Sequence, residues 1–281
     1  MKKLFLRLIA TVIVSTGIFT FAGCGKEDDT ESANQIVKTE KTIPGKSIVT
    51  ADMKGALDGA AKGATTGAAI AGATGAGWGA LFGGIVGGTI ASIDQYRENH
   101  PSTSVDTTTQ FQPSISFPNS IKNSLNPFDS IGLIHYEIVA MFMANPALCR
   151  TNSGTLDYPV FYTTIFNILI NNYPSLQITT AVQNYFKYTD FESVRNDMND
   201  DFSIIANNCI QNDDLRQIVI SYQQFFDSET EYTSFCSYSI SVESQIINNT
   251  LYSDIEKQIV LSYMATARYG FWFWENYCGG F

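Results

Sequence analysis

Histidine is almost missing from this chain. Only His100 and His135 occur, so a histidine-rich metal centre is excluded, and imidazole-dependent chemistry falls on those two residues alone. His100 sits beside Pro101 in a polar stretch and reads as solvated; His135 reads as a buried, hydrogen-bonded residue of a capped helix. Cations are scarce too, with 17 Lys and Arg against 27 Asp and Glu for a net charge of −10. No basic stripe is available to displace counterions from phosphates, which excludes nucleic acid as a partner and disfavours an anionic membrane surface. There is no G-x-S-x-G elbow, Walker loop or dinucleotide fingerprint. None of the five cysteines lies in a C-x-x-C or near a histidine, so zinc spacing is absent. The acidic group Asp197, Asp200 and Asp201 lacks the alternating donors and turn glycine of a calcium loop and reads as a solvated face. Carboxylates are plentiful, but no pair stands out as a glycosidase pair without geometry. No catalytic residue, cofactor or metal ligand is therefore expected.

What is present begins with Lys2, Lys3 and Arg7, an uncharged stretch from Leu8 to Phe21, and then Ala22-Gly23-Cys24. This is the order of a signal peptide over 1–23, too short to read first as a membrane span. Ala22-Gly23-Cys24 resembles the lipobox of bacterial lipoproteins, with Phe21 where Leu is usual. The resemblance implies a diacylglyceryl group on the Cys24 thiol and an acyl chain on its amine. Two or more chains anchor durably, at about 0.8 kcal/mol per buried methylene. Lys26, Glu27, Asp28 and Asp29 resemble the export signal of Bacteroidota lipoproteins, which implies the outer leaflet of the outer membrane and an outward-facing protein; the alternative is a plain solvated tether. Loss of the signal's three cations leaves a charge of about −13. The four remaining cysteines, Cys149, Cys209, Cys236 and Cys278, allow three pairings in an oxidising compartment, and two disulfides are expected.

Residues 24–50 read as a flexible tether. From 51 to 95 the chain is almost all Gly and Ala. Gly55, Gly59, Gly63 and Gly67 stand four apart, as do Gly75, Gly79, Gly83 and Gly87. Four-residue spacing stacks glycines on one helical face and lets a second helix approach its bare backbone. In water a dozen glycines forfeit on the order of 10 kcal/mol of helix propensity, so this segment needs a packed partner, a bilayer or both. Nothing from Gly63 to Ile93 is charged, which is long enough to cross a hydrocarbon core of about 30 Å. Its apolar members nonetheless contribute only about −2 to −4 kcal/mol towards insertion. A hairpin is the other geometry, with arms near 52–70 and 78–94 and a bend at 72–77. Asp58 and Lys62 then form an i,i+4 pair. The segment resembles the glycine zippers of bacterial surface lipoprotein antigens and, less closely, small-xxx-small peptides of two-component bacteriocins. Packing on its own protein or in a homo-oligomer through the glycine faces, without insertion, stands equal to membrane association.

Residues 96–125 read as a Ser/Thr/Pro linker. There Asp106-Thr107-Thr108 resembles the Bacteroidota O-glycosylation pattern and points to Thr107. Residues 126–281 are long enough for one helical domain. Asn126-Pro127 and capping boxes at Thr189, Ser228 and Ser253 mark helix starts. The last helix offers one broad face for burial, and "SFCSYSISVE" (234–243) is the longest strand-like alternation. "NPFDSIGLIHYEIV" (126–139) resembles an entry helix of Bacteroidota lipoproteins, with Asp129 and His135 on different helical faces. The aromatic tail 269–281 reads as core more readily than as an exposed patch. The expected fold is all-α, a C-terminal bundle preceded by the zipper. The expected function is that of a non-enzymatic surface lipoprotein engaged in membrane-associated helix assembly, held by its lipid anchor. A membrane-active, bacteriocin-like or pore-forming toxin is the alternative, and an extracellular hydrolase the second.

Overall fold

Glycines repeated every four residues on two successive helices make two flat faces that can meet without side chains between them. In the computed structural model, which describes residues 45–99, 116–145, 157–173, 191–197 and 199–278, they do. The helix α1 (Lys46–Asn99) breaks at Ala71 (φ −140, ψ 24) and Gly72 (φ 62, ψ −146). It therefore folds back as a hairpin with arms 46–70 and 73–99. Gly72 supplies the left-handed φ that the reversal requires. The glycines pair in mirror register about Ala71. A Cβ on Gly55, Gly59, Gly63 or Gly67 would be driven into the carbonyl of Gly87, Gly83, Gly79 or Gly75 respectively. Both glycine faces are thus filled by each other.

The remaining helices are α2 (Asp129–Ala144), α3 (Tyr158–Asn172), α4 (Phe191–Asp197), α5 (Phe202–Cys209), α6 (Asp213–Ser228), α7 (Tyr232–Asn248) and α8 (Asp254–Cys278). Of these, α2, α4, α5 and α8 pack on the hairpin, α6 packs on α5 and α7, and α7 packs on α8. No strand occurs among the described residues. The alternating stretch 234–243 lies inside α7, because Phe235, Cys236, Ser239, Val242, Glu243 and Ile246 recur at helical spacing and face the core. All described residues fall in one compact unit, so the hairpin is the inside of the helical domain and not a separate segment. Its boundaries also run wider than expected. Residues 46–50 are helical, with Ile48 and Val49 buried, and the linker's end is ordered, with Ile121 buried in a 3-10 turn.

α8 packs on the hairpin more extensively than any other helix does. It does not present a single face. Every residue from Ile259 to Phe271 is buried, as are Phe273 and Trp274, so the helix is enclosed around its whole girth. The aromatic tail is core as far as Trp274, with Trp272 half-buried against Phe117. A second apolar layer joins the outer face of the second arm (Phe82, Ile85, Val86, Ile90) to α2 and α3.

One helix start follows the sequence and two do not. Ser253 Oγ accepts from Glu256 N at 3.2 Å and donates to the Glu256 carboxylate at 2.7 Å. Asn126 is not the cap expected of it: Phe128 holds the N-cap position of α2 without a side-chain cap, Pro127 lies ahead of the helix, and Asn126 Oδ1 accepts from Phe128 N at 2.8 Å in the preceding turn. Ser228 ends α6. Glu229 takes over at that corner, accepting from the backbone of Thr230 and Glu231 and from Ser234 Oγ. The box at Thr189 lies outside the described residues, as do Cys24, Lys26, Glu27, Asp28, Asp29, Thr107, His100 and Cys149, together with the side chains of Glu192 and Cys278.

The expected pair of disulfides is not formed. Cys209 and Cys236 are both free. Cys209 on α5 faces the Asp58 carboxylate, while Cys236 on α7 donates to the Ser120 carbonyl, so each thiol is held by a different neighbour. With both unpaired, two bridges among four cysteines are ruled out in this structure.

Candidate functional site

Three polar constellations stand out, two in the interior and one in a cleft. The first sits at the base of the hairpin. Asp52 on the first arm accepts from Ser92 on the second arm, from Tyr136 O–H on α2 and from Trp274 Nε1 on α8, the last at 3.0 Å. Glycine makes room for Tyr136 and for the neighbouring His135. A Cβ on Gly270 would displace the Tyr136 hydroxyl, and one on Gly88 would lie 3.0 Å from the His135 ring. Burial raises the Asp52 carboxyl well above the usual carboxylate range, against the donors from Tyr136 and Trp274. Burial likewise lowers His135 to about 3, so its ring is neutral.

Asp52, Ser92 and His135 have the residue types of a serine hydrolase in the wrong order. In a catalytic triad the histidine stands between acid and nucleophile. Here Ser92 stands between Asp52 and His135, and all three are fully buried, so no substrate carbonyl can reach the Ser92 hydroxyl. Asp129 belongs elsewhere, and no Asp129–His135 pair forms.

The second constellation surrounds Arg268. Its guanidinium meets both oxygens of Glu243, at 2.6 and 3.1 Å, as well as Asp129 and the Ile121 carbonyl. Asn123 and Asn126 donate to Glu243 at 2.8 and 2.9 Å, Ser239 donates at 3.1 Å, and Tyr269 donates to Asp129 at 3.1 Å. Burial would lower Arg268, but Glu243 and Asp129 outweigh it and hold its pKa above the ordinary value. This network fastens the segment 119–129 to α7 and α8.

The third lies in a cleft of about 730 Å³ beside the first arm, floored by Ala61, Ala64 and Ile259 and edged by Lys62, Asp197 and Glu256. Lys62 donates to Asp58 at 2.7 Å, the i,i+4 pair read in the sequence, and also to Asp197, which the sequence did not reveal. Burial pulls Lys62 down, but its bonds to Asp197 and Asp58 outweigh this and raise its pKa. Burial raises Asp58 and, with the adjacent Asp58 charge, the Cys209 thiol. A raised thiol is a poor nucleophile. Among the described residues, no group of three or more His, Cys, Asp or Glu side chains is placed to hold a metal ion.

Opposite the base, the hairpin ends in a bare tip. Residues 68–74 are all exposed and uncharged, with Ile70 51% exposed. The segment Lys46–Asn99 is long and apolar enough to cross a membrane, yet 83% of its most apolar window is buried inside the protein.

Of two residues the sequence reading did not single out, one carried a usable signal. Arg268 is the one charge between Gln258 and Trp274, and a lone cation in a greasy helix requires a partner. Asp52 has no such signal, since Ser92, Tyr136 and Trp274 lie 40, 84 and 222 residues away. Comparison with protein-family models, with curated proteins and with solved structures finds no match for this chain.

Proposed function

We propose that this chain is an exported, lipid-anchored protein displayed at the cell surface, which works by contact and not by catalysis, with the hairpin tip as the end it presents. The observation that carries the reading is the exposed, uncharged tip at 68–74 on a hairpin whose glycine faces already pair with each other. The anchor rests on Ala22-Gly23-Cys24, and the outward placement on Lys26 to Asp29. Magnitudes favour the lipid over the zipper as the membrane attachment. Beyond Lys62 the first arm runs only about 13 Å before the bend, less than half of a hydrocarbon core of about 30 Å. Deeper insertion of the intact hairpin would carry Lys62 and Asp58 with it, at about 3 kcal/mol each.

Carbonate extraction of cells making a Cys24→Ser variant tests this. Complete release is expected, and retention in the membrane would return the anchoring role to the zipper. Protease shaving of intact cells should remove the wild-type protein, and protection would sink the outward placement. A photocrosslinking residue at position 70 should give adducts on cells where one at Leu125, also exposed, gives none. Adducts at neither would end the contact reading. The burial of a membrane-length apolar stretch supports a second reading, a membrane-active protein that releases its hairpin. Dye release from liposomes by the full chain would favour it.

A further inference from the structure

Four buried groups at the base of the hairpin form one continuous hydrogen-bonded file. Asp52 Oδ1 on the first arm meets Ser92 Oγ on the second, Ser92 meets Nε2 of His135 at 3.5 Å, and Nδ1 of that ring meets Thr89 Oγ1 at 3.1 Å. The Thr89 hydroxyl ends the file on the Ile85 carbonyl at 2.7 Å. Each interior member can donate at one end while accepting at the other, because hydroxyls rotate and a neutral imidazole carries one N–H and one lone pair that exchange with its tautomer.

The file therefore has two satisfied polarities. In the first, Asp52 is a carboxylate. Ser92 O–H donates to it, His135 Nε2–H donates to Ser92, and Thr89 O–H donates to Nδ1. In the second, Asp52 carries a proton and donates to Ser92, Ser92 donates to Nε2, Nδ1–H donates to Thr89, and Thr89 O–H returns to the Ile85 carbonyl. The two states differ by one proton, and neither strands a buried donor or acceptor. We infer that the file is a one-proton site, in which protonation of Asp52 reverses every bond along it and switches the His135 tautomer without forming an imidazolium.

The surroundings fit. Tyr136 O–H and Trp274 N–H both donate to Oδ2 and stay in place in either state. From α2, Tyr136 faces Asp52 directly and His135 reaches it through Ser92. Among the described side chains, Trp274 of α8 and Ser92 of the second arm bond to Asp52. The nearest charges on the first arm are turned elsewhere, Lys54 to the Asp200 carbonyl and Asp58 to Lys62. From α4, Asp197 faces Lys62, and from α5, Cys209 faces Asp58. Burial raises Asp52 and lowers His135, so the carboxyl takes the proton before the imidazole does. The base of the hairpin thus becomes a proton-linked clamp joining both arms to α2.

Nitrogen NMR of the full chain labelled with 15N-histidine tests this, with a His100→Gln variant assigning the second ring. On acidification the Nδ1 and Nε2 signals of His135 should exchange their pyrrole-like and pyridine-like positions completely, with a midpoint equal to that of the Asp52 carboxyl carbon. Asp52→Asn copies the protonated acid and should hold the Nδ1–H tautomer at every pH. Ser92→Ala cuts the file and should uncouple the ring from the carboxyl. A single tautomer throughout about pH 4 to 9 overturns the proposal, as does an imidazolium signature within that range. If Asp52→Asn does not fold, the wild-type and Ser92→Ala titrations decide.

Discussion

The glycine hairpin and α8 lie side by side in the same core and are buried by opposite means. Along the hairpin the contact is backbone on backbone, with no side chain between Gly59 and Gly83 or between Gly63 and Gly79. Along α8 it is made by Tyr263, Met264, Tyr269, Phe271, Phe273 and Trp274, which fill the space around a helix enclosed on every side. The hairpin is stabilised by what its residues lack, and α8 by bulk. The two regions should therefore fail in opposite ways, the first when atoms are added and the second when they are removed.

The largest effect is expected on the α8 side. Arg268→Met leaves Glu243 and Asp129 in the interior without their cation, and breaking such a buried pair costs about 3–5 kcal/mol. Adding Glu243→Leu should recover part of that loss, because it removes the more deeply buried of the two stranded carboxylates while Asp129 and the donors of Asn123 and Asn126 stay without their partner. Denaturant midpoints of the single and double variants check this. Equal destabilisation of both would mean that the loss comes from packing and not from charge.

The hairpin supplies the sharper contrast, on adjacent residues. A Cβ on Gly83 runs into the Gly59 carbonyl, whereas one on Gly84 comes no nearer than 3.5 Å to the Ala56 carbonyl and the Ala60 Cβ. Gly83→Ala should destabilise by about 1–3 kcal/mol, and Gly84→Ala should stabilise by up to about 1 kcal/mol through helix propensity. Thermal unfolding of the two variants would break the comparison if both shifts had the same sign.

The sequence displayed the hairpin side of this comparison far better than the α8 side. The glycine positions 55, 59, 63, 67 and 75, 79, 83, 87 are a palindrome about Ala71, so even the pairing register was available to a reader who assumed a hairpin. The bend falls at 71–72, one residue ahead of the stretch 72–77 expected for it, because only a positive φ at Gly72 reverses the chain. The enclosure of α8 was not visible, since Ser262, Thr266 and Arg268 make it look amphipathic until partners 25 and 139 residues away satisfy Arg268. Disulfides were misread for the same reason. Cysteine spacing says nothing about Asp58 and Ser120, the groups that hold Cys209 and Cys236.

Acid should separate the two sides of the hairpin base. His135 has a folded pKa of about 3 against an ordinary value of 6.5, so the folded state binds fewer protons than the unfolded one across that window. Its contribution is fully present above 6.5 and is lost as pH falls towards 3, by at most about 1.4 kcal/mol per pH unit. Asp52 runs the other way. Its raised pKa favours the folded state in acid and weakens it as pH rises above 3.8. Relative to wild type, His135→Gln should therefore lose less stability between neutral pH and about pH 5, and Asp52→Asn should lose more. Urea midpoints at the two pH values check both signs.

The smallest effect concerns how each region begins. The hairpin starts without an acidic residue in its first turn, and the Gly45 carbonyl takes the amides of Ile48 and Val49, so burial of those two side chains holds the end. α8 starts with Ser253 capping Glu256 N, and the Glu256 carboxylate also accepts from the amides of Gln211 and Asn212 at 3.1 and 2.8 Å. One side-chain oxygen thus fixes the start of α8, and the carboxylate it touches fixes the turn before α6. Ser253→Ala should cost about 1 kcal/mol. Ser228→Ala, at the box that proved to be a helix end, removes only an exposed bond to the Phe225 carbonyl and should stay within about 0.5 kcal/mol. A loss at Ser228 as large as that at Ser253 would show that α7 starts earlier in solution than Tyr232, with Ser228 as its cap.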